Sequence, residues 1–250
     1  MLSQRQEKLL NILISQYINN AEPVSSKALV KSGPFSLSSA TLRHEMSNLE
    51  KAGYLTHLHT SSGRVPTTKA YRLYVDNVMA APGIYVPEAT KQKIHKAITD
   101  ASDDPEELNK VVANVVAALS DNMVFTNIQD TDYFYKTGLS SLFELPEFKE
   151  FDKIFGVASV FEHFEKIFND MEREFFGIPT GDVVVYVGGE NPIKKIKDET
   201  VIMARYPLSA GKTGSMTVIG PARMDYEKNI GLMRCVVEEM KKRASSIKVK

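Results

Sequence analysis

Residues 37–72 read LSSATLRHEMSNLEKAGYLTHLHTSSGRVPTTKAYR, and their pattern indicates how the front of the chain folds. Its first part predicts a helix that Ser38 or Ser39 caps and Gly53 ends, because serine accepts the unpaired amides of a first turn and glycine favours helix ends. An alternating strand, a Thr-Ser-Ser-Gly turn and a short return strand follow. A threonine pair then caps the next helix. Helix, hairpin and helix in this order predict a winged helix-turn-helix.

The first of these helices has one apolar face and one polar face. Leu42, Met46 and Leu49 recur at helical spacing and are predicted to face inward. The opposite face carries small, basic and hydroxyl side chains: Ala40, Arg43, His44 and Ser47. Small residues allow a close approach to a DNA groove, and an arginine there can donate two hydrogen bonds to guanine. Taken by itself, the same pattern also fits an ordinary solvated helix face.

The hairpin tip and the helix after it add basic and hydroxyl groups. Arg64 at the tip is predicted to enter a minor groove or to pair with phosphate, and the serines beside it can donate hydrogen bonds to phosphate. Lys69 and Arg72 are predicted to touch the DNA backbone. The full set predicted to contact DNA is Ser26, Lys27, Ser39, Ala40, Thr41, Arg43, His44, Ser47, Thr60, Ser61, Ser62, Gly63, Arg64, Lys69 and Arg72. His57 and His59 lack an evident third ligand, so no metal site is predicted.

Charge is balanced over the whole chain but not along it. The 250 residues contain 31 Lys and Arg against 31 Asp and Glu. Residues 1–79 contain nine against five, a net charge of about +4, which suits a DNA-binding front end. The single cysteine, Cys235, excludes an intramolecular disulfide and fits a reducing compartment. No apolar run has the length of a signal peptide core or a membrane span, so a cytoplasmic protein without membrane contact is expected.

The run Ala81-Pro82-Gly83 reads as a linker and predicts two domains, residues 1–80 and residues 81–250. In the second domain, phenylalanines between residues 148 and 168 predict two aromatic-rich helices, and residues 123–135 fit one strand and a loop. The clear strand signals are residues 182–187, 201–206 and 215–220, of which the last two are predicted to pair.

Three segments in order, EPVSSKAL, SSATLRHEMSNLEKAGYL and HTSSGRVPTTKAYRLYVD, resemble the N-terminal domain of the HrcA family of bacterial heat-inducible transcription repressors. The later segments YVGGENPIKKIKDETVIMARYPL and GSMTVIGPARMDYEKNI resemble the same family. The resemblance implies a repressor of chaperone genes that binds double-stranded DNA at an inverted-repeat operator as a homodimer. It also implies that the GroE chaperonin keeps the repressor active, and that the C-terminal domain is GAF-like.

The chain is shorter than the family pattern. About twenty residues separate Ser120 from the segment GLSSLFELPEF, where the family carries further strands and an inserted dimerisation domain. The predicted fold class is therefore α+β, with an N-terminal winged helix-turn-helix followed by an abbreviated GAF-like α/β domain. Either the apolar stripe over residues 111–119 or the phenylalanine-rich helices are expected to supply a substitute dimer surface.

Other functions stay open at this point. A ligand-responsive regulator of unrelated genes or a protein-interaction module would use the same front domain, although no fixed polar constellation marks a ligand site. An enzyme is disfavoured because the single cysteine has no recognisable partner, and no carboxylate pair or metal set has a motif around it. No catalytic residue and no cofactor is predicted.

Overall fold

Within the described residues, the front of the chain folds into four helices and a two-stranded hairpin. The structure is a computed structural model that describes residues 2–32, 35, 37–57, 63–170, 179–191 and 193–247. The first compact unit comprises Met1–Ala81 and Ala222–Asp225. Its elements are α1 (Gln4–Asn20), α2 (Ser26–Ser32), α3 (Ser39–Lys51), β1 (Leu55–Thr56), β2 (Val65–Pro66) and α4 (Thr68–Ala80). The two short strands are antiparallel.

Side-chain caps set where α3 and α4 begin. Ser38, the residue before α3, accepts a hydrogen bond on its hydroxyl oxygen from the Thr41 amide at 3.1 Å. The hydroxyl of Thr67 accepts the Ala70 amide at the start of α4. Each cap satisfies one amide that has no partner within the first helical turn. The two helix starts predicted from the sequence are confirmed.

The apolar faces of these helices meet in one core. Fully buried side chains include Leu9, Leu10, Leu13, Ile14, Leu29, Leu42, Leu49, Leu55, Ala70 and Val75. Burial of one such aliphatic side chain contributes about 1.5–3 kcal/mol. The predicted inward face of α3 is confirmed, because Leu42, Met46 and Leu49 are all buried. This packing fixes which side of α3 faces outward.

The second compact unit, Pro82–Pro221 with Tyr226–Lys250, is built on a five-stranded antiparallel sheet. The strand order is β4-β3-β7-β6-β5. The strands are β3 (Met123–Ile128), β4 (Phe134–Thr137), β5 (Val183–Val187), β6 (Glu199–Pro207) and β7 (Thr213–Pro221). The helices are α5 (Glu88–Asp100), α6 (Pro105–Ser120), α7 (Leu139–Phe143), α8 (Phe151–Asp170) and α9 (Tyr226–Ile247). The predicted pairing of residues 201–206 with 215–220 is confirmed by the β6–β7 register.

Helices cover both faces of this sheet. On one face Phe125 of β3 stacks on Phe164 of α8, with ring centroids 3.7 Å apart. On the other face Tyr206 of β6 donates to the side-chain oxygen of Asn109 on α6. The first residue of α9, Tyr226, lies 3.0 Å from the hydroxyl of Thr200, oxygen to oxygen. The sheet is therefore the middle layer, with α8 on one side and α6 and α9 on the other.

Two local predictions were wrong. Residues 123–135 hold more than one strand, because Phe134 starts β4, which pairs with β3 as an edge hairpin. Phe148 lies in a short 3₁₀ turn, and the aromatic residues after it share the single helix α8, which departs from helical geometry at His163. The α+β class is confirmed. In the described part of the chain, no helix is long and apolar enough to cross a membrane.

Candidate nucleic-acid interface

The outward face of α3 carries basic side chains that bind no other described residue of the protein. Ala40, Arg43 and His44 are exposed, and Ser47 is half-buried on the same face. Among the residues that the structure describes, Arg43 and His44 have no hydrogen-bond or ion-pair partner. An exposed arginine without a protein partner keeps its fork of N–H donors available to a ligand. This face therefore meets the requirements for reading base edges.

The hydroxyl groups of Ser26 and Ser39 face each other. Their hydroxyl oxygens lie 2.9 Å apart at the junction of α2 and α3, and Ser26 is buried. Thr41 is half-buried, with its hydroxyl 3.0 Å from that of Ser38. Lys27, next along α2, is exposed and has no partner within the described ranges. Of these four predicted contacts, Lys27 is the side chain that the fold presents to solvent.

Arg64 does not lie at a free tip, which corrects the sequence-based expectation. It lies directly before β2, and its Nε and Nη2 atoms are each 2.9 Å from Oε2 of Glu50 on α3. His57 lies directly after β1, with Nδ1 2.6 Å from Oε1 of the same carboxylate. One glutamate therefore holds both sides of the hairpin. The predicted contacts Thr60, Ser61 and Ser62 lie outside the described residues.

The Glu50 carboxylate stays charged in this arrangement. Burial of the group raises its pKa, but the hydrogen bond with His57 and the charge of Arg64 outweigh burial, and the pKa is lowered overall. The ionised carboxylate accepts two charge-assisted interactions at once. The link between α3 and the hairpin is therefore ionic at neutral pH.

Gly63 is required by a close backbone approach. Arg64 and Val24 exchange two backbone hydrogen bonds of 2.8 and 2.9 Å, which join the hairpin to the segment before α2. A Cβ atom on residue 63 would lie 2.5 Å from the Val24 carbonyl oxygen and 2.8 Å from the Pro23 carbonyl carbon. Because these are backbone atoms, they cannot move aside cheaply. Glycine fits here by its lack of a side chain.

Lys69 and Arg72 also bind oxygen atoms of the protein. Lys69 donates to the Ala52 carbonyl oxygen at 2.9 Å, just after α3, and its ammonium lies 4.4 Å from the ring centroid of Tyr54. Arg72 pairs with Asp76 one turn later on α4, with 3.0 Å between Nε and Oδ1. The Lys69 ammonium donates to a carbonyl oxygen at the C-terminal end of α3. Its positive charge also interacts favourably with the negative end of the α3 dipole.

The sequence did not predict the pairing of two carboxylates of α3, Glu45 and Glu50. Glu45 is buried on α3, where Arg5 of α1 pairs with Oε1 and Gln6 donates to Oε2 at 3.2 Å. Its partners lie about 40 residues away in the chain, so the spacing of residues around Glu45 does not predict them. The available signal is one of position, since Glu45 falls between the apolar residues 42, 46 and 49. A charged residue so placed needs a buried partner.

The family model described as the HrcA protein C terminal domain matches residues 25–230. The chain belongs to the HrcA family. This membership confirms the resemblance that the sequence segments carry.

Curated relatives extend the match along nearly the whole of this HrcA family member. The heat-inducible transcription repressor HrcA of Brevibacillus brevis is 26% identical over 342 positions, covering 98% of this chain and 99% of the relative. That of Oceanobacillus iheyensis is 27% identical over 338 positions, covering 96% of each chain. Because 342 exceeds the 250 residues of this chain by 92, at least 92 positions of the first alignment have no counterpart here. The chain is a short member of the HrcA family.

A solved structure shares this fold. The crystal structure of a hypothetical protein at 2.2 Å resolution matches with a TM-score of 0.79 and 17% sequence identity. The match covers 98% of this HrcA family chain and 99% of the other.

Proposed function

We propose that this chain is a DNA-binding transcriptional repressor and that its first unit is a winged helix-turn-helix. The observation that carries the proposal is the outward face of α3. Arg43 and His44 are exposed there without partners among the described residues, while the opposite face of the helix is buried. The helix pair α2–α3, the β1–β2 hairpin and α4 follow the order that this motif requires.

In this proposal α3 enters the major groove. The small side chain of Ala40 allows the helix close to the bases, Arg43 donates to a guanine, and His44 and Ser47 contact neighbouring edges or phosphates. Lys27 pairs with the DNA backbone. Ser26 and Ser39 orient α2 against α3 through their shared hydrogen bond. The β1–β2 hairpin lies on the adjacent DNA backbone.

The names of the relatives support the proposed regulon. They are named heat-inducible transcription repressors, and the proposal carries this function over to the present chain. It would repress chaperone genes from an inverted-repeat operator, with the GroE chaperonin as the folding partner that the family resemblance implies. An inverted repeat presents two half-sites, so two copies of the chain must bind together.

The exposed phenylalanines of α8 are the best-supported dimer surface. Phe151 and Phe155 are 77% and 67% exposed, and their rings stack with centroids 6.3 Å apart. The apolar stripe over residues 111–119 of α6 is less available for dimer contacts because Val112 and Val116 are buried within the unit. Contiguous exposed apolar area of this kind marks interaction sites.

One observation favours a ligand-responsive regulator as the second candidate. An open cleft of about 530 Å³ lies between α5 and α9. However, the charged groups of the cleft already pair with one another. His95 Nδ1 lies 2.7 Å from Oε2 of Glu239, and Lys242 Nζ lies 2.6 Å from Oε1 of the same carboxylate. Arg243 donates to carbonyl oxygens at the end of α5, including that of Ala101 at 2.8 Å. Calorimetric titration with small carboxylates and phosphates would reveal a ligand here.

The test of the leading function is a footprint on the chain's own genomic upstream regions, run at two temperatures and two salt concentrations. We expect protection of an inverted repeat beside a chaperone gene, with protection lost on heating. If no inverted repeat near any chaperone gene is protected under any condition, the proposed function is wrong.

A further inference from the structure

The hairpin and α3 are joined by a single carboxylate with two hydrogen-bonding partners. Glu50 lies in the last turn of α3 and places one oxygen 2.6 Å from His57 and the other 2.9 Å from Arg64. The two partners lie within the hairpin, His57 directly after β1 and Arg64 directly before β2. We name Glu50, His57 and Arg64 the hairpin clamp.

Both the side chain and the backbone of Arg64 are held in place. Its guanidinium faces Glu50, and its backbone exchanges two hydrogen bonds with Val24, which itself is buried. The missing side chain of Gly63 lets this backbone pair form at close range. About a quarter of each side chain in the Glu50–Arg64 pair is exposed, so the pair is partly shielded from water. Arg64 therefore differs from Arg43, which is exposed and unpaired among the residues described.

We propose that Glu50 is a positioning residue that orients the hairpin against α3, and that Arg64 belongs to this clamp rather than to the set of phosphate contacts. The inference rests on the proposed DNA-binding function. A cation already hydrogen-bonded to a partly buried carboxylate loses that partner when it turns to phosphate, and leaves the carboxylate unpaired. Preorganised orientation of the hairpin lowers the ordering cost of binding DNA.

The proposal and its rival predict opposite results for Glu50→Gln in the full chain. If Arg64 is part of the clamp, the variant loses hairpin orientation, and its operator affinity falls about tenfold, the cost of one charge-assisted hydrogen bond. If Arg64 is a phosphate ligand restrained by Glu50, the variant frees it and affinity rises. Glu22→Gln is the matched control, because it removes the same charge from an exposed residue with no partner in the described ranges.

Arg64→Gln supplies the second readout through the salt dependence of operator binding. One lost phosphate contact flattens the slope of log K against log salt by about 0.9. The clamp predicts an unchanged slope, a loss of affinity similar to that of Glu50→Gln, and no further loss in the double variant. Arg64→Lys, which keeps the charge, should restore part of the affinity.

These measurements distinguish a failure of the clamp proposal from a failure of the proposed DNA-binding function. Amide hydrogen exchange at Val24 and Arg64, measured without DNA, should speed up in Glu50→Gln and not in Glu22→Gln, while the thermal unfolding of the second unit stays the same. Absence of specific DNA binding by the unaltered chain would overturn the proposed function alone. Unchanged exchange, or operator affinity equal to or above that of Glu22→Gln, would overturn the clamp.

Discussion

At the scale of single residues, the basic side chains of the front unit divide into two groups. Arg43 and Lys27 are exposed and unpaired within the described part of the chain, whereas Arg64, Lys69 and Arg72 each bind a protein oxygen. Electrostatic attraction to DNA depends on all of them, but specific contacts need donors that are not already used. The division therefore predicts which substitutions change base preference.

Arg43→Ala should lower operator affinity by about 1–3 kcal/mol and relax base preference at one position. The reason is that a bidentate contact from arginine to guanine carries sequence information. The measurement is the ratio of dissociation constants for the operator and for unrelated DNA at one salt concentration. Lys27→Ala is the comparison, since loss of a phosphate contact weakens both DNAs alike. An unchanged ratio in Arg43→Ala would show that this side chain does not read a base.

A second residue-scale prediction concerns Glu199, the buried first residue of β6. Burial is the main cause that raises its pKa to about 7 from an ordinary 4.5, and nearby Asp198 and Glu147 add to it, while Lys153 opposes it. The folded chain therefore holds a proton that the unfolded chain releases above pH 4.5. Stability falls as pH rises from about 4.5 to 7, by up to about 3 kcal/mol.

Glu199→Gln removes this titration. Denaturant unfolding at pH 5 and pH 8 should show a smaller loss of unfolding free energy for the variant than for the unaltered chain. Equal losses in the two proteins would mean that Glu199 does not titrate in this range.

At the scale of elements, the sequence predicts what depends on local chemistry. The start of α3 follows from its serine cap and its inward face from three apolar residues, and both are confirmed. The β4 strand was missed because its four residues are all half-buried at a sheet edge and alternate weakly. Glu50 was missed because its partner Arg64 is 14 residues away across a hairpin. Periodicity tells which face is buried, but it does not tell which side chain lies opposite.

The tight join between the hairpin and the segment before α2 predicts the effect of Gly63→Ala. A Cβ atom 2.5 Å from the Val24 carbonyl oxygen would push the two backbones apart, at a cost of about 1–3 kcal/mol in unfolding free energy. Thermal unfolding of the front unit measures this cost, and operator affinity should fall with it. Gly83→Ala is the control, since beyond its chain neighbours no described residue lies within 4 Å of its added carbon. Equal stability of the two variants would contradict the close approach.

At the scale of the whole molecule, the described part of the short chain contains a five-stranded sheet with helices on both faces. At least 92 alignment positions of the Brevibacillus brevis relative have no counterpart in it. The sheet nevertheless packs against a hydrophobic core, in which Phe125, Phe164 and Phe168 are buried. The first two turns of α8 carry the exposed side chains of Phe151 and Phe155, and these supply the surface that we propose for pairing two copies of the repressor.

The area of this surface limits how stable the proposed dimer can be. Two exposed phenylalanines supply roughly 300 Å² per copy, on the basis of about 150–250 Å² for a whole aromatic side chain. Two copies then bury about half of the 1,200 Å² that a stable interface needs, so a weak dimer is expected. An inverted-repeat operator would strengthen it, because the two half-sites hold the copies at high effective concentration.

Replacing both Phe151 and Phe155 by serine should abolish this self-association. Sedimentation equilibrium over micromolar to near-millimolar concentrations should show a monomer–dimer equilibrium for the unaltered chain and monomer for the variant. On operator DNA the variant should occupy half-sites independently, whereas the unaltered chain binds both together. Tyr85→Ser is the control, because Tyr85 is 84% exposed but lies outside α8. If the variant dimerises as well as the unaltered chain, the paired repressor must use another surface, and the α8 phenylalanines are then exposed for a different reason.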